Sequence, residues 1–145
     1  MLSTIEKILF LKSVALFERI SDDDFVWISE MARYVHFEEG EQFITQGDPG
    51  DCLYIAVSGK IDIIVDGAGK VATLRERDVI GEMAILSGSP RTASCVAATE
   101  VTALKIVREP FLDLLRERPE LALGIIQTLV KRLATSSRQA KLQPS

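Results

Sequence analysis

Apolar positions recur along this chain with two different periods, and the change of period divides it into three parts. From the start, Leu2, Ile5, Leu9, Leu16, Phe17 and Ile20 fall at roughly helical spacing, the signature of helices that bury one face. A second helix is predicted from SDDDFVWISEMAR. Ser21 suits its N-cap, and Asp22, Asp23 and Asp24 fall in the first turn, where acids favour the helix dipole. The acidic run therefore has a structural explanation and carries no functional weight. These segments make a helical lead-in over residues 1–33.

From residue 34 the period shortens. YVHFEE, QFITQ, CLYIAVS, KIDIIVD, KVATLRE, DVI, RTASCVAA and EVTALKIV are short, rich in β-branched and aromatic residues, and separated by EEGE, GDPGD, SGK and DGAGK. Eight of the nine glycines lie between Gly40 and Gly88, and glycine marks turns and positive-φ positions. Residues 34–107 therefore read as strands and turns between helical flanks, with VDGAGK as a hairpin tip. Short strands at close, regular spacing predict an all-β barrel, sandwich or jelly roll.

The helical period returns over residues 108–140. REPFLDLLRER predicts a short helix with Pro110 in its first turn. Pro119 opens a longer one, in which Leu121, Ile125, Leu129 and Leu133 recur every four residues and Ala122, Ile126 and Val130 widen the stripe. Such a helix packs on its own domain, and it is also suited to pair with a second copy of itself or to close over a ligand. Gly124 costs it about 1 kcal/mol relative to alanine, which marks a bend or a close contact. Residues 141–145 are expected to fray.

Composition narrows the function. The 145 residues suit one domain with a real core. The formal net charge of −4 disfavours a nucleic-acid-binding surface, yet it leaves room for one local pocket that takes a small anion. Cys52 and Cys95 each lie within an apolar run and read as reduced core thiols of a cytoplasmic chain. There is no CxxC pair or Cys/His cluster, and the lone histidine, His36, reads as a strand-surface residue. Nothing here assembles a zinc site or a histidine-based triad, so neither metal ligands nor catalytic residues are assigned and no enzyme is expected. No apolar run reaches about 18 residues, so no membrane span is expected, and the opening MLSTIEKILFLKS lacks the basic start and cleavage site of a signal peptide.

The chemistry concentrates in IGEMAILSGSPRTASCV, residues 80–96. This short apolar stretch holds one acid, Glu82, and one base, Arg91, and buried charges are costly unless paired. Gly81 allows a tight entry from the strand DVI into one or two helical turns. The first turn of such a helix leaves backbone N–H groups unpaired, which suits an anion. An arginine fork matches two phosphate oxygens, and Thr92 adds a hydroxyl. Glu82 has the wrong sign for phosphate and the right chemistry to accept from sugar hydroxyls. The simpler arrangement is a salt bridge between Glu82 and Arg91.

Gly81-Glu82-Met83-Ala84-Ile85-Leu86 followed by Pro90-Arg91-Thr92-Ala93-Ser94 resembles the phosphate-binding cassette of the cyclic nucleotide-binding domain. That family includes the catabolite activator protein, protein kinase A regulatory subunits and cyclic nucleotide-gated channels. Upstream, FEEGEQFITQGDPGDCLYIAVSGKIDI resembles the family's glycine-punctuated strands, with Gly40, Gly47, Asp48, Gly50, Asp51, Tyr54 and Gly59 in step, and LFERISDDDFVWIS resembles its helical lead-in. The likeness covers residues 14 to 135. Phe43, Ala56 and Cys95 depart from the expected aliphatic residues and leave Glu82 and Arg91 in place.

The resemblance implies a mainly β fold with flanking α: an eight-stranded β-roll (a double-stranded β-helix or jelly roll) with N-terminal helices and two C-terminal helices, holding cyclic AMP or cyclic GMP. It makes residues 1–140 a single cyclic nucleotide-binding domain. It assigns Glu82 to the ribose 2′-hydroxyl, Arg91 to the cyclic phosphate, and Thr92 with the backbone N–H groups of Met83 and Ala84 to phosphate oxygens, on an entry shaped by Gly81. Met83 would flank the ligand, Val71 and Ala72 would line the base pocket, and the C-terminal helix near Leu129, Arg132 and Leu133 would cap the base. Thr92 is compatible with either nucleotide. The implied role is a ligand-driven sensor without a cofactor, signalling through its C-terminal helix to a partner or a fused effector. A family member that has lost its ligand and serves as an interaction module is the alternative. A DNA-binding regulator is disfavoured, because the dozen residues after Leu133 leave no room for a helix-turn-helix. The first helix begins almost at Met1, which fits excision from a longer chain.

Overall fold

The structure, a computed structural model, describes residues 2–142, with side chains to residue 136. Helix α1 (Thr4–Lys12) is followed by a 3-10 turn (Ala15–Phe17) and α2 (Asp22–Met31). Eight strands come next, with α3 (Glu82–Ser87) between the sixth and seventh: β1 (Arg33–Phe37), β2 (Gln42–Ile44), β3 (Cys52–Ser58), β4 (Ile61–Val65), β5 (Gly69–Leu74), β6 (Val79–Ile80), β7 (Ser94–Ala97) and β8 (Val101–Val107). Helices α4 (Arg108–Glu117) and α5 (Pro119–Leu142) close the chain. The frayed stretch read at 141–145 gives way to helix through Leu142, and residues 143–145 lie outside the described residues.

The strands form two antiparallel four-stranded sheets, in the orders β1-β8-β3-β6 and β2-β7-β4-β5. This is the β-roll with helices at both ends. VDGAGK forms the β4–β5 tip, with Val65 paired to Gly69. One strand starts later than its sequence suggests: Arg91 to Ala93 precede β7, because Arg91 spends its backbone groups on the β2–β3 loop. Its N–H donates to the Asp48 carbonyl (2.8 Å) and its carbonyl accepts from Gly47 N–H (2.9 Å).

Strand β3 is buried on both faces, which is why CLYIAVS reads as a continuous apolar run. Cys52, Tyr54 and Ala56 point between the sheets, with Ile61, Ala97 and Ala103. Leu53 and Ile55 point the other way, into a second core shared with the helices through Phe17, Phe25, Ile28, Phe111, Leu121 and Ile125. Phe43, where the resemblance led to an aliphatic residue being expected, stacks on Phe37 at a centroid distance of 4.1 Å, and both meet Tyr54 edge-on.

The helical ends refine the sequence pattern. The α1 stripe of Ile5 and Leu9 faces solvent, whereas Leu11 and Val14 are buried. Lys7 sets that rotation: its Nζ donates to the Ser29 and Ala32 carbonyls at the end of α2 (3.1 and 2.9 Å), so the Lys7–Leu11 side faces inward. Ser21 occupies the N-cap of α2, but its hydroxyl donates to the Asp24 carboxylate (3.2 Å). Asp24 is itself buried and paired with Arg118 at the α4–α5 elbow. On α5, Leu121 and Ile125 are buried and Leu129 packs against that core, but Leu133, Ile126 and Val130 are exposed. The four-residue stripe drifts off the domain, and past Leu129 the described contacts of α5 are the ion pairs of Lys131 with Glu18 and of Arg132 with Glu82.

Gly124 marks a close contact: a Cβ built there would lie 2.9 Å from the Arg19 carbonyl oxygen. Gly124→Ala gains about 1 kcal/mol of helix propensity and incurs an overpacking cost of about 1–3 kcal/mol against backbone. The expected outcome is a lower melting temperature by circular dichroism.

Candidate functional site

Strand β6 ends at Gly81, whose φ of +89° turns the chain directly into α3. Two constraints require glycine there. A side chain is strained at that φ, and a Cβ would overlap Nη1 of Arg91. At its far end α3 stops at Gly88, with φ +74°, and Arg108 Nε donates to the Ile85 carbonyl (3.0 Å). Gly50 lets the β2–β3 loop press on α3, since a Cβ there would overlap that of Ala84. The glycine-rich loop thus holds both halves of the cassette: α3 through Gly50, and Arg91 through Gly47 and Asp48.

Glu82 and Arg91 do not pair with each other. The Arg91 side chain is only 5% exposed. Its Nη2 donates to the Cys52 carbonyl (2.6 Å) and touches Cys52 Sγ (3.5 Å), while Nη1 reaches the Gly81 carbonyl at 3.4 Å. Among the described residues its nearest carboxylate is that of Asp51, 3.9 Å away and 84% exposed. Burying a guanidinium costs several kcal/mol or so unless an opposite charge answers it, and a solvated carboxylate beyond hydrogen-bond reach answers it poorly.

Glu82, 17% exposed, lies at the start of α3 and faces Arg132 of α5 at 3.7 Å. Burial pushes its carboxyl above the ordinary value of 4.5, against the pull of its own backbone N–H and of Arg132.

Both groups border a cavity of about 430 Å³ between α3 and the sheets, within the usual range for a small-molecule site. Its wall is apolar, from Ile44, Ile63, Leu74, Val79, Ile80 and Cys95, and its polar edge runs from Gly81 to Ala84 and from Ser89 to Ala93. Burial raises the Cys95 thiol to about 11, so it remains a neutral wall group. A buried cation, a buried carboxylate, first-turn N–H groups without intrahelical acceptors and an apolar wall suit a ligand that carries an anion, hydroxyls and a flat apolar body. Among the described residues no three His, Cys, Asp or Glu side chains are grouped to hold a metal ion.

Of the residues singled out in the sequence, Gly81, Glu82, Met83, Ala84, Arg91 and Thr92 all line this cavity. Val71, Ala72, Leu129, Arg132 and Leu133 do not. Val71 and Ala72 are both exposed on β5, although Ala72 pairs with Ile63. Leu129 packs in the helical core and Leu133 faces solvent, so the described helix does not cap the cavity. Arg132 enters only through Glu82. The apolar wall was missed, although strand alternation in KIDIIVD, with Ile61 and Ile63 on one face, carried a usable signal.

A family model described as the cyclic nucleotide-binding domain matches residues 34–118. Similar curated proteins include the CRP-like cAMP-activated global transcriptional regulator of Mycobacterium tuberculosis, 30% identical over 127 residues that cover 85% of this chain and 57% of the relative. They also include the cAMP-dependent protein kinase regulatory subunit of Emericella nidulans, 32% identical over 130 residues that cover 89% of this chain and 30% of the relative. The chain therefore spans little more than half of the first relative and under a third of the second. The N-terminal domain of a transcriptional regulator from Streptomyces coelicolor A3(2) is similar in structure, with a TM-score of 0.76, 27% identity, and coverage of 88% of this chain and 94% of that one. The structure of cAMP-bound PfPKA-R gives a TM-score of 0.70 at 27% identity, over 77% of this chain and 41% of its own. With more than half of its residues matched by the family model, the chain belongs to the cyclic nucleotide-binding domain family.

Proposed function

We propose that this domain senses cyclic AMP or cyclic GMP and relays occupancy through α5. The observation that carries the reading is Arg91: a buried guanidinium on a cavity wall, bonded to carbonyls, whose nearest carboxylate is beyond hydrogen-bond reach. A cyclic phosphate supplies the missing charge, bidentate to the fork. Thr92 and the N–H groups of Met83 and Ala84 complete the phosphate shell, Glu82 accepts from the ribose 2′-hydroxyl, and the base lies on Ile63 and Leu74 beneath Met83. The relatives named for cAMP support this ligand class.

The relay begins at Glu82. Its carboxylate engages Arg132 at 3.7 Å, a separation at which little of a hydrogen bond survives. A ribose hydroxyl at normal distance displaces that partner, and α5 loses a tether to the cassette. Ligand then shifts the helix between positions by its differential affinity for them.

The outward side of α5 suits a second copy of the chain. Leu123, Ile126, Val130 and Leu133 are 53–68% exposed and fall at i, i+3, i+7 and i+10, the a/d spacing of a coiled coil. A helix carrying one such stripe is self-complementary about a two-fold axis. The output then lies in a fused effector or a separate partner, and two free, buried cysteines fit a cytoplasmic setting.

Calorimetric titration tests the ligand: cyclic AMP or cyclic GMP should bind, and folded protein that gives no heat at millimolar nucleotide would favour the ligand-free interaction module. Arg91→Lys replaces a fork with a point charge and should weaken binding by ~10- to 100-fold, the worth of one or two charge-assisted hydrogen bonds. Glu82 adds a pH signature. Because its folded pKa is raised, the folded state holds this proton more tightly than the unfolded one. The ionised carboxylate therefore lowers stability above that pKa, and its ability to accept from ribose is lost as pH falls through it. Glu82→Gln should raise the melting temperature of the nucleotide-free protein at neutral pH, weaken nucleotide binding, and flatten the acid side of the affinity profile. For self-association, sedimentation equilibrium should give a dimer, and Ile126→Glu with Val130→Glu should give a monomer with unchanged thermal stability at low concentration.

A further inference from the structure

A second cavity, of about 400 Å³, lies between the 3-10 turn and α5. Ala15 and Glu18 form one side; Thr128, Lys131, Arg132 and Thr135 line the other. It carries two cations against one acid, on a chain whose formal net charge is −4. Neither cation is tightly committed: Lys131 Nζ lies 3.6 Å from Glu18 Oε1, and Arg132 Nη1 lies 3.7 Å from Glu82 Oε1. The Thr128 and Thr135 hydroxyls donate to the Gly124 and Lys131 carbonyls (3.1 and 3.0 Å), which leaves the ammonium and the guanidinium as the strong donors facing the groove.

We propose that this groove is a second binding site, for a small phosphate-bearing anion, and that it is coupled to the nucleotide site because the two share Arg132. The coupling rests on the nucleotide reading above. With both sites empty, Arg132 answers the buried Glu82 carboxylate. An anion in the groove draws the guanidinium away and frees Glu82 to accept from a ribose hydroxyl. A nucleotide on Glu82 likewise frees Arg132 for the anion. By linkage each ligand then raises the affinity of the other by the same factor. The guanidinium favours phosphate over a halide, since its fork matches two oxygens of one group, and an open groove of this size between two elements of the same chain admits a small molecule.

Pyrophosphate is the probe, titrated at constant ionic strength and followed by amide chemical shifts. Shifts at Thr128 and Thr135 are expected, with a cyclic nucleotide affinity about fivefold or more higher at saturating pyrophosphate. Lys131→Gln should abolish that gain and leave nucleotide affinity without pyrophosphate within twofold of the parent. Millimolar pyrophosphate that moves no groove amide overturns the site. So do shifts confined to Ala84 and Thr92 with weakened nucleotide binding, which place the anion on Arg91 instead. A gain that persists in Lys131→Gln, or that chloride reproduces, overturns the coupling. Groove shifts in a protein that binds no nucleotide would defeat the nucleotide reading and the coupling together, while upholding the anion site on its own measurement.

Discussion

The costliest group in this domain is the Arg91 guanidinium, and much of the local structure exists to hold it. It sits almost wholly buried, bonded through Nη2 to the Cys52 carbonyl and through Nη1, more weakly, to that of Gly81. Carbonyl dipoles reduce the desolvation cost of a cation without cancelling its charge. The surroundings fit this demand. Gly81 has no side chain because the guanidinium fills that space. Gly47 and Asp48 clamp the arginine's backbone from the β2–β3 loop, and Cys52 presents its carbonyl from the first residue of β3. Two stretches, Gly47 to Cys52 and Gly81, converge on one residue whose charge remains incompletely answered among the described residues.

The fold makes that convergence affordable. Strand β3 feeds two cores at once, Leu53 and Ile55 to the helices and Tyr54 and Ala56 to the space between the sheets. Burial of apolar surface on both faces is the main favourable term in such a structure, and it fixes β3 rigidly. Cys52 at its start is therefore a firm acceptor for Arg91. The guanidinium is thus positioned without a ligand, in surroundings of low dielectric where an electrostatic contact is strengthened.

The strands and their order along the chain were legible because β-branched runs and glycine punctuation are local signals. Glu82 and Arg91 stood out for the same reason: one acid and one base in a short apolar stretch are conspicuous. Their partners were not legible. The pairing of Glu82 with Arg132 joins α3 to α5 across fifty residues of sequence, and nothing local announces it. The α1 stripe misled because Ile5 and Leu9 obey helical spacing as well as Leu11 does, and the side that turns inward is set by long-range contacts, the packing of Leu11 on the core and the bonding of Lys7 to the end of α2. Ser21 was placed correctly at a helix start, yet its hydroxyl serves Asp24, whose own role depends on Arg118 some ninety residues later.

Helix α5 gathers these long-range contacts, and its sides divide the labour. One side carries Leu121, Gly124, Ile125 and Thr128, all buried, with Gly124 tight against Arg19; it anchors the first turns to the lead-in. Farther along the helix stand Lys131 and Arg132, paired at 3.6 and 3.7 Å to Glu18 and Glu82. A separate side carries the exposed apolar stripe from Leu123 to Leu133. The anchored turns are held by packing, which does not yield to small displacements. The later turns are held by ion pairs with exposed cations, worth about 0–1 kcal/mol each. Tight packing at one end and weak tethers at the other leave the stretch around Lys131 and Arg132 the least firmly held described part of α5, which is the part the proposed relay from Glu82 would call on.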